Sequence, residues 1–121
     1  MDKRIVTVNG ASIAAIHSND PLITDGQTAL DLIADVFYND NCARILLNKA
    51  ALTDRFFVLS SGIAGEVLQK IVNYAMKLAV CGDFNVYTSK PLRDFVYESN
   101  RGRSVYFAAT EREGLDWLAR L

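Results

Sequence analysis

Apolar residues recur along this chain in short runs whose period shifts between strand-like alternation and helical spacing, and these shifts mark out its elements. Ile5-Val6-Thr7-Val8 and Ser12-Ile13-Ala14-Ala15-Ile16 flank Asn9-Gly10. That dipeptide tolerates the positive φ of a type I′ turn, so the chain opens with a predicted β-hairpin. A polar, turn-rich stretch follows over residues 17–26, and Thr28, three residues before Asp31, is the expected cap of a helix over 29–38. Continuous apolar runs at 43–47, 77–81 and 104–109 have the pattern of strands buried on both faces, and each is followed by helical spacing. Thr110 and Glu113 form a capping-box pattern ahead of Leu115, Leu118 and Leu121, which predicts a closing helix with Trp117 on its flank.

The predicted order is therefore β-β-α-β-α-β-α-β-α. A hairpin feeding repeated right-handed crossovers gives a single α/β domain with a mixed, mostly parallel sheet and four helices. The 121 residues, half of them apolar, suffice for one core and not for two. Ligands of open α/β sheets lie beyond the carboxyl ends of the strands, which here directs attention to Asn48-Lys49, Gly82-Asp83-Phe84 and Thr110.

The central helix, over 61–73, divides cleanly. At about 100° per residue, Ile63, Ala64, Val67, Leu68, Ile71, Tyr74 and Ala75 share one face, and Gly62, Gly65, Glu66, Gln69 and Asn73 the other. Each helical glycine costs about 1 kcal/mol relative to alanine, an expense that close approach of a partner's backbone would justify. The polar face is either a platform offering the hydrogen bonds of Glu66, Gln69 and Asn73 to a partner, or a solvated surface steadied by a Glu66–Lys70 pair. Ser61, at the helix start, is either a backbone cap or a phosphorylation site, where a charge of about −1.5 to −2 would sit at the positive helix end.

On the helix over 90–99, Leu92, Phe95, Val96 and Ser99 face inward, leaving Tyr97 outside between Arg93 and Arg101 as a candidate interface anchor. Gly102 is expected to close this helix in a left-handed conformation. Lys90, Arg93, Arg101 and Arg103 are interrupted by Asp94 and Glu98, and 13 basic against 14 acidic residues leave a net charge of −1. Neither nucleic acid nor an anionic membrane is an expected partner.

Cys42 and Cys81 each lie within an apolar stretch and read as buried, reduced thiols. The single histidine, His17, has no cysteine or serine partner at a recognisable spacing, and no glycine-rich phosphate loop is present. No catalytic residue, cofactor or metal site is assigned. Asp83 alone makes no cation site without a second carboxylate such as Glu66 or Asp54. With no membrane-length apolar span and no leader-like segment, the expected location is cytoplasmic.

The run Gly62-Ile63-Ala64-Gly65-Glu66-Val67-Leu68-Gln69-Lys70 resembles a bacterial family known only as domain of unknown function 4180. Asn73-Tyr74, Lys77 to Val80, Gly82-Asp83-Phe84, Ser89-Lys90 and Glu98 to Arg103 extend that likeness over nearly the whole chain. In element order the chain is also similar to STAS domains, the anti-sigma factor antagonists that bind partner kinases and are switched at a serine opening a helix. Ser60-Ser61-Gly62-Ile63 resembles that region, with Leu59 where those proteins carry aspartate and about ten additional residues before the serine. The resemblances imply a non-catalytic regulatory or protein-interaction module. Its partner surface would comprise Ser61, Gly62, Gly65, Glu66, Gln69 and Asn73, with Tyr97 and Arg101, and a homodimer could use the same helix faces. The alternative is a protein binding a small molecule or anion, conceivably an enzyme, with Asn48, Glu66, Asp83 and Thr110 around its site. A concave, partly apolar cavity at the strand ends would favour that alternative.

Overall fold

The computed structural model describes residues 1–120, and Leu121 lies outside them. The strands are β1 (Asp2–Val8), β2 (Ala11–His17), β3 (Arg44–Asn48), β4 (Lys77–Cys81) and β5 (Val105–Ala108). The helices are α1 (Gly26–Asp40), α2 (Ile63–Asn73), α3 (Lys90–Arg101) and α4 (Glu111–Ala119), so elements follow the expected order. Asn9 and Gly10 both take positive φ, 52° and 82°, and close the hairpin.

The sheet runs in chain order, β1-β2-β3-β4-β5, with β1 antiparallel to β2 and every later pair parallel. Right-handed crossovers that always step to the next strand on the same side place their helices on one face. Accordingly α1, α2 and α3 pack on one core, against Ala14, Ile16, Ile45, Leu47, Leu78, Val80, Val105 and Phe107. Alternation turns Ile13, Ala15, Leu46 and Ala79 to the opposite face, where α4 covers them through Trp117 and Leu118. Trp117 is therefore buried, stacked on Tyr106 at 5.2 Å, and does not lie on the flank expected of it.

Local chemistry differs from expectation at four helix ends. Asp25, not Thr28, caps α1: its carboxylate accepts the Thr28 amide at 2.8 Å, while the Thr28 hydroxyl accepts the Asp25 amide at 3.1 Å. The cap of α2 is Gly62 in the left-handed region, φ 79°. At the other end Tyr74 is exposed and Ala75, φ 54°, has left the helix, so neither joins the inward face. Gly102 closes α3 with extended backbone, φ −91°, and not as a left-handed cap. The edge strand β1 is tied on both sides, Lys3 to Asp40 at 2.6 Å and Asp35 at 3.4 Å on α1, and Arg4 to Glu111 on α4.

Gly114 lets α4 approach the sheet, since a Cβ there would stand 2.7 Å from Leu46 Cδ1 and 3.4 Å from Ala79 Cβ. Gly114→Ala is thus expected to destabilise by about 1–3 kcal/mol despite its better helix propensity, as read by urea unfolding. Hydrogen bonds from the Thr28 amide and hydroxyl hold the Asp25 carboxyl below its ordinary value of 3.8. A lowered carboxylate stabilises the fold at higher pH and loses that contribution as pH falls through its folded value. Acid titration should fray the first turn of α1, seen at the Thr28 amide by NMR, and Asp25→Asn should flatten the response.

Candidate functional site

The chain leaves β4 toward the face of α3 and leaves β5 toward the opposite face, that of α4. Successive connections diverging from neighbouring parallel strands open a crevice between their carboxyl ends, the usual ligand position in open α/β sheets. The crevice is present, with a volume of about 380 Å³, between Gly82, Asp83 and Phe84 after β4 and Phe107 and Ala109 of β5 and its exit. A second hollow of about 400 Å³ continues along α3 past Tyr87, Thr88, Leu92, Arg93 and Tyr97. The two share Phe84, Asn85, Val96 and Asn100 and form one trough between α3 and residues 82–89.

The trough rests on an aromatic cluster. Phe84 meets Phe107 edge-on at 5.1 Å, Tyr87 stacks on Phe57 at 4.9 Å, and Phe56 and Phe95 pack behind them. Phe56 and Phe57 arrive on one of three short 3-10 turns, Lys49–Ala51, Asp54–Phe57 and Leu59–Ser61, which occupy the stretch between β3 and α2. Asn100 fixes the trough's back wall: its side chain donates to the Phe107 carbonyl at 3.1 Å and accepts the Phe107 amide at 2.7 Å. Arg93 is the single charged residue lining the wider hollow, and among the described residues it forms no ion pair. Its neighbour Asp94 pairs instead with Lys90 at 2.7 Å.

The sequence-derived ligand residues are only partly assembled here. Asp83 lines the trough, one oxygen accepting the Asn85 amide at 3.0 Å. Asn48 is committed elsewhere, accepting the Ser18 amide at 2.9 Å and donating to the Ser18 carbonyl at 2.7 Å. Thr110 caps α4 by accepting the Glu113 amide at 3.2 Å, while Glu113 reaches back to the Ala109 amide. Glu66 lies over Gly26 at the start of α1, where the positive helix end suits a carboxylate, and forms no ion pair with Lys70.

Of the α2 surface, Gly62, Gly65, Glu66, Gln69 and Asn73 are all exposed, as the division of faces required. Gly62 answers to its positive φ, and an added Cβ at Gly65 meets nothing within 4 Å, so no close approach within the chain accounts for either glycine. Ser61 sits before the helix, accepting the Ile63 amide at 3.2 Å and donating to the Arg55 carbonyl at 2.7 Å. Tyr97 is 62% exposed, carries the Arg101 guanidinium 5.6 Å from its ring, and lines the trough.

Sequence reasoning weighed Arg93 as part of a basic patch and as a flank of Tyr97, and placed Lys49 no further than a strand end. The ammonium of Lys49 lies 4.5, 5.7 and 5.8 Å from the ring centroids of Tyr87, Phe84 and Phe57. The usable signal was four aromatic residues, Phe56, Phe57, Phe84 and Tyr87, concentrated in segments that follow strands. His17, Asn48 and Cys81 end three adjacent strands around a cleft of about 20 Å³. Burial pushes the Cys81 thiol above its ordinary value, which keeps it protonated and poorly nucleophilic at neutral pH. The described residues contain no metal-binding group of three or more His, Cys, Asp or Glu, and no helix long and apolar enough to cross a membrane.

Fold and site together define a small α/β domain with a ligand-sized trough where the connections of a mixed sheet part. The chain belongs to the family described as a domain of unknown function, DUF4180, whose model matches residues 8–118. No curated protein and no solved structure matches it significantly.

Asn48→Ala removes both hydrogen bonds to the Ser18 backbone and is expected to cost about 1–3 kcal/mol in urea unfolding, with amide exchange accelerated at Ser18.

Proposed function

We propose that this domain is a non-catalytic binding module for a small amphipathic anion, an apolar or aromatic body bearing one carboxylate or phosphate. The observation that carries this reading is the concave trough at the parting of β4 and β5, apolar in its floor and polar at its rim. Its hollows fall within the ~300–1,000 Å³ span of small-molecule sites. Charge places the ligand's anionic group in the wider hollow, where Arg93 is the single charged residue and Asp83 lies in the neighbouring crevice with one oxygen accepting the Asn85 amide; a guanidinium holds carboxylate or phosphate through paired hydrogen bonds. The aromatic floor and the exposed Tyr97 ring suit a flat apolar body.

The exposed polar face of α2 supports a second reading, in which Ser61, Gly62, Gly65, Glu66, Gln69 and Asn73 receive a protein partner, with Tyr97 and Arg101 as outlying anchors. The open space over Gly65 is the observation in its favour. The two readings make different demands, since a protein partner does not require the trough to be empty.

Phenyl phosphate and benzylamine, titrated separately into labelled protein, distinguish ligand charge by NMR. Phenyl phosphate should shift the amides of Phe84, Tyr87, Val96 and Tyr97, benzylamine should not, and Arg93→Glu should weaken phenyl phosphate by about tenfold or more. Absence of shifts along the trough, or equal response to both probes, would overturn the assignment.

A further inference from the structure

Residues 82–89 form one side of the trough, bonded through the backbone at Gly82 and Ser89 and scarcely between them. Among the described residues, the Lys49 ammonium makes the single hydrogen bond from outside to a backbone group of 83–88, donating to the Asp83 carbonyl at 2.9 Å. The same ammonium stands between two rings carried by this segment, Phe84 and Tyr87, and one carried by the core, Phe57. Each distance lies inside the ~6 Å reach of cation–π attraction. The stem of Lys49 fills the space before Gly82, where a Cβ would stand 2.7 Å from Lys49 Cβ and 3.2 Å from its Cδ. No carboxylate competes for the ammonium, because Lys49 has no ion pair among the described residues.

We propose that Lys49 is the positioning residue of the trough: a latch that pins residues 83–88 onto the aromatic core and so sets the wall against which the ligand binds. It acts from behind, for Lys49 lines neither hollow while Phe84 lines both and Tyr87 one. The inference rests on the binding reading for its purpose, but the latch itself exists in the unliganded protein. A lysine suits the task because its flexible stem threads past Gly82 and its compact charge attracts several ring faces at once. Removing the charge releases the carbonyl and takes the cation from among the rings, leaving Phe84 and Tyr87 to their ring contacts alone, and the segment loses its one polar tie to the core.

The test uses the full chain without ligand, comparing Lys49→Met, Lys49→Arg and Gly82→Ala by ¹⁵N relaxation. Lys49→Met keeps an apolar stem and loses the charge. Backbone order parameters over 84–88 should fall from the rigid range of about 0.85 to below about 0.6, with β3 and β4 unchanged. Lys49→Arg should preserve the wild-type values, and Gly82→Ala, which displaces the stem and keeps the ammonium, should reproduce the loosening. Unchanged order parameters in Lys49→Met overturn the latch. Should that variant lose its fold by circular dichroism, Gly82→Ala decides in the same way. In a second arm, phenyl phosphate affinity should drop about fivefold or more in Lys49→Met and recover in Lys49→Arg. A wild type that binds no phenyl phosphate would defeat the binding reading and leave the relaxation result to judge the latch.

Discussion

The handedness of the crossovers governs this molecule. Because each parallel connection steps one strand onward in the same direction, right-handed winding sends α1, α2 and α3 to one face and leaves the other bare. A sheet whose central strands are apolar on both faces cannot leave one face to water. Only the segment after β5 is free of that winding, and it folds back as α4 with Gly114 pressed on the sheet and Trp117 and Leu118 filling the second core. The site follows from the same constraint. The connection after β4 must go one way and the segment after β5 the other, so the gap between their strand ends is a product of covering both faces.

The order of elements was legible in the sequence because it depends on local quantities. Hydrophobic period, the Asn9-Gly10 turn and the Thr110 cap act over a few residues, and each set its element correctly. The misplacements occur where several local solutions compete. Around α1, Asp25 and Thr28 both have capping chemistry, and their reciprocal pair moves the start of the helix upstream. At α2 the positive φ of Gly62 terminates the preceding 3-10 turn and begins the helix, which leaves Ser61 just outside. Trp117 was assigned a flank by the leucine spacing alone, whereas the bare sheet face required the largest side chain α4 had to offer.

The site was legible in position and obscure in composition. Strand ends pointed to Gly82-Asp83-Phe84, and the trough is there. Asn48 and Thr110 line neither hollow, and their hydrogen-bonding capacity is taken by Ser18 and Glu113, a fact set by tertiary neighbours. The meeting of Lys49 with Phe57, Phe84 and Tyr87 joins three separate segments, and no period or spacing encodes it. The polar face of α2 shows the converse: helical spacing predicted its exposure well, while exposure alone says nothing of what, if anything, rests on it.

The ties on β1 have a meaning beyond the single molecule. An edge strand offers a row of unpaired amides and carbonyls on which a further strand can assemble. Here Lys3 and Arg4, consecutive residues with opposite orientations, are drawn to acidic groups on α1 and α4, one on each side of the sheet. A chain adding to this edge would have to accommodate charged side chains anchored above and below it. Individually such surface pairs contribute at most about 1 kcal/mol to stability. Their larger consequence is colloidal: they make the β1 border of the sheet a poor template for growth into fibrils.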